Sequence, residues 1–382
     1  MKFPLKAVLA FATLAIMAPS LAGILAAQDQ PNKIIPTYTV INYAGTDVVA
    51  YQALAAEGKG IPTWNGSFTY NGIKYPFTMI GTDPAKGSAT TTVPFVIIPL
   101  AIRFSDGTLL DPTKPIQTAC GGKSTALALT ENSPMFQDVI WKSGTTDVGT
   151  TQYIDAFQRA TFWKTVKSKS PNYHLLLGQP TVTKTVTVEV PANYGVTMTG
   201  SCGKWGDVDI NWYSSEVSKV LSQMKIGANE FPYILTYDTF EYQGNPQQCC
   251  VLGFHGIGPN GGPYGTGAYT EQEIFGPPQH NFSDIVTISH EIGEAVDDPF
   301  LNNAVPNWMS PFAPQYGCNN GLEVGDPVAG LPVGPYTVKG VKHEYYVQDL
   351  AFETWFAKAK TSTSVNGWYS MFGTFKTPAP GC

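Results

Sequence analysis

Only 14% of this chain is Asp, Glu, Lys or Arg, yet five ionisable groups crowd into the nine residues from His290 to Asp298. On an α-helix, positions four apart lie about 40° apart around the axis and one turn along it, so His290 and Glu294 can aim an imidazole nitrogen and a carboxylate at one divalent ion. Glu291, displaced round the helix from His290, can reach a water at that ion without binding the metal, which is the position of a general base. The competing reading is a surface helix whose acids are merely solvated. The scarcity of charge elsewhere in the chain argues for the metal site.

The helix itself is legible. Ser283 is a candidate N-cap, Asp284 would sit in the first turn where the helix dipole favours negative charge, and Pro299 disfavours helical geometry at Asp298. These signals predict a helix from Ser283 to Asp297. Ile285, Ile288, Ile292 and Ala295 recur at three- and four-residue steps and form a core face. Thr287, His290, Glu291, Glu294 and Asp298 gather on the other side.

His290-Glu291-x-x-Glu294 is a variant of the H-E-x-x-H metal-binding helix with Glu in place of the second His. A catalytic site of that kind needs a third protein ligand beside its water. Asp297 faces the same way as His290 but lies roughly 10 Å farther along the axis. Asp298 is closer in angle to Glu294 and stands where the helix breaks. A carboxylate from a returning segment is better placed, and Asn320 to Pro327 offers two: Glu323 as third ligand and Asp326 as the partner that orients His290. The competing reading for that pair is a turn flanking a strand. With two carboxylates and one imidazole a divalent ion is formally neutral, so its water would be less acidic than in a His-His-Glu site. Such an oxygen-rich shell accepts Mn, Fe or Ca as well as zinc, the leading expectation. His255 reads as a packed loop histidine with a lesser claim to transition-state support. His174, His280, His343, Tyr345 and Tyr346 have weaker claims.

The rest of the chain bounds the setting. Net charge is -6, and no segment supplies the basic surface that a nucleic acid requires. Lys2 and Lys6, the apolar run Ala7 to Ala18 and the small residues Ser20 and Ala22 form an export signal, cut after Ala22 or near Ala27. No later run is long enough to span a membrane. The expectation is an exported, soluble protein, extracellular or periplasmic, without stable membrane insertion. Six cysteines, Cys120, Cys202, Cys249, Cys250, Cys318 and Cys382, then read as disulfide staples. Asn65 and Asn281 match glycosylation acceptors.

Strand signals dominate from Gly66 to Gly107, notably Ser67–Tyr70, Tyr75–Ile80 and Thr91–Phe104. Residues 132–141 and 151–166 read as helices, the second with Tyr153, Phe157, Ala160 and Trp163 as a core stripe. Thr181–Val190 reads as a strand or hairpin arm, Asp209–Lys225 as a helix, and Phe231–Tyr242 and Cys250–His255 as strands. Gly256–Gly267 reads as a loop and Ala268–Phe275 as an edge strand. Gly256 to Gly261 matches GxGxxG, but Gly262, Pro263 and Gly265 follow in place of a helix, which argues against a dinucleotide site. Gln117 stands where a P-loop ending at Lys123-Ser124 needs glycine, and GxSxG does not occur.

The stretch Ser289 to Phe300 resembles the S-H-E-x-x-E-A-x-T-D-P helix of exported zincin-like proteins of bacteria and fungi, themselves distantly similar to the plant Exordium (phosphate-induced) family. Gly253-Phe254-His255-Gly256, Asp298 to Asn303 and Glu323 to Asp326 resemble further landmarks, so the similarity covers about Asp209 to Asp349. Asp297 stands where Thr is usual, and no Cys directly follows Gly325-Asp326. The chain thus reads as α+β: a signal peptide (1–22), a β-rich N-terminal region (23–200) and a C-terminal domain (201–382), for which the resemblance implies a zincin-like catalytic fold of mixed sheet plus HExxE helix. The resemblance also implies a secreted peptidase using zinc or another divalent metal, with His290 and Glu294 as ligands and Glu291 as base acting on a metal-bound water. Peptides or proteins would be the substrates. The alternative expectation is a non-catalytic cell-surface or cell-wall binding protein on the same scaffold, which the aromatic, charge-poor composition would suit.

Overall fold

The computed structural model describes residues 48–116, 123–200, 202–271, 282–312, 314 and 317–382. The expected export signal, Cys120, His280 and Asn281 lie outside these residues. Helices and strands combine in an α+β architecture.

The central strand is β1 (Phe95–Arg103), eight of whose nine residues are buried. A run apolar on both faces is a strand covered on both sides. Its neighbours β2 (Val186–Glu189) and β3 (Phe231–Tyr237) run parallel to it, with Val186 opposite Leu100 and Phe231 opposite Phe95. Beyond β3 the hairpin of β4 (Gly253–Ile257) and β5 (Pro263–Tyr269) completes the order β2-β1-β3-β5-β4, with β5 parallel to β3 and β4 antiparallel at the end. Strands from both sides of residue 200 thus share one sheet, and one apolar cluster runs from Ile61 to Ala379. The division expected near residue 200 does not separate two cores.

Several expected elements differ for identifiable reasons. Pro94 has no N–H to donate, and it divides the run expected over Thr91–Phe104: Thr90–Val93 pairs with His174–Leu177, outside the main sheet. Residues 132–141 are not helical. The helix there is Ala126–Glu131, capped by the Thr125 side chain and ended by Asn132, and Val139–Ser143 forms a hairpin with Thr146–Thr151. Pro134 biases Ser133 away from helix, which explains the stop. The helix expected over 151–166 divides at Phe162 into α1 (Tyr153–Thr161) and Trp163–Lys169. Asp238 takes φ 42° and breaks the run Phe231–Tyr242, sending Thr239–Tyr242 into a second sheet beside Lys204–Asp209. Asp209 caps α2 (Ile210–Gln223) by accepting from the N–H groups of Asn211 and Trp212. The expected loop Gly256–Gly267 is largely the β4–β5 hairpin; of the edge strand expected over Ala268–Phe275, Ala268 and Tyr269 end β5 inside the sheet, and 272–275 lie outside the described residues.

The helix of interest, α3 (Val286–Asp297), packs on β4 and β5 and all twelve of its residues are buried, so neither face is solvated. It starts later than Ser283. Asp284 takes φ 62°, and its carboxylate faces His343 Nε2 at 2.9 Å and accepts from the Tyr346 N–H at 2.8 Å, which removes it from the first turn. Two disulfides are defined, Cys249 with Cys250 and Cys318 with Cys382, and Cys202 is also disulfide-bonded.

At the end of α3, Gln158 of α1 donates through Nε2 to Asp297 Oδ1 at 2.5 Å. Burial pushes the Asp297 carboxyl up from 3.8 to about 8. A buried acid with a raised pKa holds a proton that the unfolded chain releases, so its contribution to stability falls as pH rises from about 4 to about 8. Asp297→Asn keeps the acceptor and cannot ionise. Its melting temperature should gain on wild type between pH 5 and pH 8, as read by thermal unfolding at both values.

Candidate metal centre

The site forms because α3 lies on nearly bare backbone. Gly253 and Gly267 face each other across β4 and β5. A Cβ on Gly253 would stand 2.9 Å from Glu291 Cγ, and one on Gly267 3.0 Å from Thr287 Cγ2. Strand alternation then turns His255, two residues after Gly253, toward the same helix. Phe254 and Thr266 face the other way, where the Tyr213 hydroxyl of α2 meets Thr266 Oγ1 at 2.6 Å.

Two imidazoles and four carboxylates converge there. His290 Nε2 lies 3.1 Å from Glu294 Oε1, 3.6 Å from Asp326 Oδ1 and 4.0 Å from Glu291 Oε1. His255 Nδ1 lies 3.5 Å from Glu294 Oε2 and 3.9 Å from Glu291 Oε2, while its Nε2 is 3.8 Å from Glu323 Oε2. One potential ligand atom from each of His290, Glu291 and Glu294 lies within 4.8 Å of the others, and the same holds for His255, Glu294 and Glu323. Glu323 therefore approaches Glu294 from the His255 side.

These residues fit a divalent cation. Both nitrogens of His255, both oxygens of Asp326 and Oε2 of Glu291, Glu294 and Glu323 are buried without a hydrogen-bond partner. Orphaned buried polar atoms are rare because each forfeits its hydration, and converging lone pairs of this kind are what a cation satisfies. Buried His and Glu groups able to hold a metal ion are thus a property of the fold.

The remaining hydrogen bonds fix the orientation. His290 Nδ1 meets Gln348 Oε1 at 3.1 Å, and Gln348 Nε2 donates to the Gly325 carbonyl at 2.8 Å. The amide oxygen must accept, so Nδ1 carries a proton and Nε2 faces the carboxylates, where a cation would replace its proton. Asp326 was expected in that orienting role; it faces the ligating nitrogen instead, and Gln348 does the orienting. Glu294 Oε1 accepts from the N–H groups of Gly325 and Asp326 at 3.1 and 3.2 Å. Only glycine fits at 325, where a Cβ would stand 2.6 Å from the His290 ring.

Of the other carboxylates considered for the third ligand, Asp298 accepts from the N–H groups of Asn302 and Asn303 in the turn after α3, and Asp297 is held by Gln158. His174 pairs with Asp155, His343 with Asp284, and the Tyr345 hydroxyl donates to the Leu129 carbonyl. Sequence reasoning underrated His255 and missed Gln348. The usable signal for His255 was its place between Gly253 and Gly256 in a stretch poor in other polar groups.

Among protein groups alone, burial opposes charge on His290, yet Glu294 and Glu291 raise its pKa well above the imidazole range. Burial likewise opposes charge on His255, and Glu323 leads the carboxylates that raise it. Burial would raise Glu294 too, but His290 and His255 outweigh it and hold the carboxyl down to about 2. Glu291 is raised, chiefly by burial. Burial and then Glu294 raise both Glu323 and Asp326, the latter to about 7.

Two spaces adjoin the cluster. Asp298, Asn302, Asn319, Asn320 and Glu323 line a cleft of ≈ 250 Å³. His290, Glu291, Thr287 and Gln348 help to line a hollow of ≈ 20 Å³, room for about one water.

Against known protein families, curated proteins and solved structures, the chain matches none.

Removing the Gln348 side chain should free the His290 ring. Gln348→Ala is expected to weaken divalent-metal affinity about 10- to 100-fold, measured by competition with a chromophoric chelator; an unchanged affinity would show that the ring is held by other means.

Proposed function

We propose that this protein is an exported metal-dependent hydrolase of peptide bonds, with His290, Glu294 and Glu323 holding a divalent ion, zinc foremost, and Glu291 as general base. The observation that carries this reading is the convergence of unpartnered buried oxygens and nitrogens on Glu294, with Glu291 beside them. The peptide substrate follows from the resemblance of Ser289 to Phe300 to the zincin-like helix. Disulfides at Cys249–Cys250 and Cys318–Cys382 fit an oxidising compartment, and no helix among the described residues is long and apolar enough to cross a membrane.

When bound, the ion would supply Lewis acidity for the scissile carbonyl and lower the pKa of water. Glu291 is 1% exposed, borders the small hollow and has Oε2 without a hydrogen-bond partner. Its raised pKa suits a group that takes a proton from the attacking water and passes it to the leaving amine. Gln348 holds the His290 tautomer, and the N–H groups of Gly325 and Asp326 hold Glu294. The Asn-lined cleft beside Glu323 offers polar side chains to an incoming chain.

The test strips and restores metal on the purified protein and compares wild type with Glu291→Gln. Peptide cleavage should require metal and fall by about 10²- to 10⁴-fold in the variant, with metal content retained. Undiminished cleavage by Glu291→Gln would overturn the mechanism. Metal that raises the melting temperature without any peptide being cut would favour the non-catalytic binding protein.

A further inference from the structure

We infer that this centre takes two divalent ions, bridged by Glu294, with His290 and Asp326 completing one side and His255 and Glu323 the other. The inference rests on the metal-site reading above and reassigns Glu323 from the His290 ion to its neighbour. Four observations support it.

Glu294 presents its two oxygens to different imidazoles, Oε1 to His290 at 3.1 Å and Oε2 to His255 at 3.5 Å. That is the arrangement of a bridging carboxylate. The remaining acids divide between the same imidazoles: Asp326 Oδ1 is 3.6 Å from His290 Nε2, and Glu323 Oε2 is 3.8 Å from His255 Nε2, the nitrogen other than the one facing Glu294. One ligand atom from each of His255, Glu294 and Glu323 lies within 4.8 Å of the others. Each side then has one imidazole, one carboxylate of its own and a share of Glu294, while Glu291 stays free to act as base.

Charge supports the same count. Glu291, Glu294, Glu323 and Asp326 carry four formal negative charges when ionised, and each is at most 6% exposed. Among the described residues they pair with His255 and His290. With all four ionised, one divalent ion among neutral imidazoles leaves two negative charges to be neutralised by protons, whereas two ions balance all four, and an uncompensated buried charge is strongly unfavourable.

His255 is the fourth observation. It is 4% exposed, on a strand rather than on the motif helix, and neither nitrogen has a hydrogen-bond partner. With a single ion at His290 and Glu294 this imidazole is only a charge partner of the carboxylates; a second ion makes it a ligand. Paired ions of this kind, about 4 Å apart, clamp the attacking and leaving groups in known hydrolases.

The experiment loads the full chain with excess Mn(II) or Zn(II), removes unbound metal and counts ions by elemental analysis. Wild type should hold two per chain, and the Mn(II) form should show the electron paramagnetic resonance of a spin-coupled pair. His255→Gln and Glu323→Gln should each hold one ion and lose the coupling. One ion per chain in saturated wild type, or two in both variants, would overturn the inference; the wild-type count and spectrum decide it even if a variant fails to fold. One ion with peptide cleavage intact leaves the proposed function standing without the second site. Two ions without cleavage does the reverse, and no bound metal removes both.

Discussion

The approach of α3 to strand backbone at Gly253 and Gly267 is the constraint on which the rest of the site depends. With side chains at those two positions the helix would stand off, and Glu291 and Glu294 would no longer face His255 across the gap. The same close contact recurs at Gly325, where the returning loop passes the His290 ring and gives two N–H groups to Glu294. Three positions without a Cβ thus let a helix, a hairpin and a loop share one small volume. The cost is conformational freedom lost at each glycine on folding. Extensive apolar packing offsets it: Ile285, which precedes α3, and Ile288, Ile292 and Ala295 within it all belong to the main core.

That proximity concentrates like charge. Carboxylates in a volume screened from water repel one another and lose hydration together, so each must find a proton, a donor or a cation. The structure meets the demand differently along α3. Asp298, at its end, accepts from the N–H groups of Asn302 and Asn303, and Asp297 accepts from Gln158 through Oδ1 while burial raises its carboxyl to about 8. Glu291 and Glu294, nearer its middle, keep Oε2 atoms without such donors, as do Glu323 and Asp326 opposite them. What sets Glu291 and Glu294 apart is that their unpartnered oxygens converge with those of Glu323 and Asp326 and with two imidazoles, whereas Asp297 meets Gln158 of α1. A second buried acidic pair, Asp207 and Glu241 on adjacent strands, also keeps unpartnered oxygens, and burial pushes Asp207 up to about 8.

Local signals that a few neighbouring residues carry were readable from the chain alone. The apolar spacing of Ile285 to Ala295, the stop at Pro299 and the four-residue step from His290 to Glu294 are properties of one helix, and α3 shows all three. The signals that failed were also local but ambiguous. Ser283 and Asp284 spell a helix start, yet His343 and Tyr346 draw the Asp284 side chain elsewhere, through contacts with residues about sixty positions away. Glycines from Gly256 to Gly267 spell a loop, because composition does not distinguish a glycine that turns the chain from one that admits a helix.

What the sequence determined by itself was therefore the helix, its buried face and the pair His290 and Glu294 that helix geometry places together. Tertiary structure alone decided which distant groups meet them: His255 across the sheet, Gln348 behind the ring, and Asp326 on the ligating side of His290 rather than the orienting side. The physical reason is range. Helix spacing and capping act over a few residues, whereas the partners of a buried charge are chosen by whichever segments the core packs against it, and that choice is made only when the whole chain has folded.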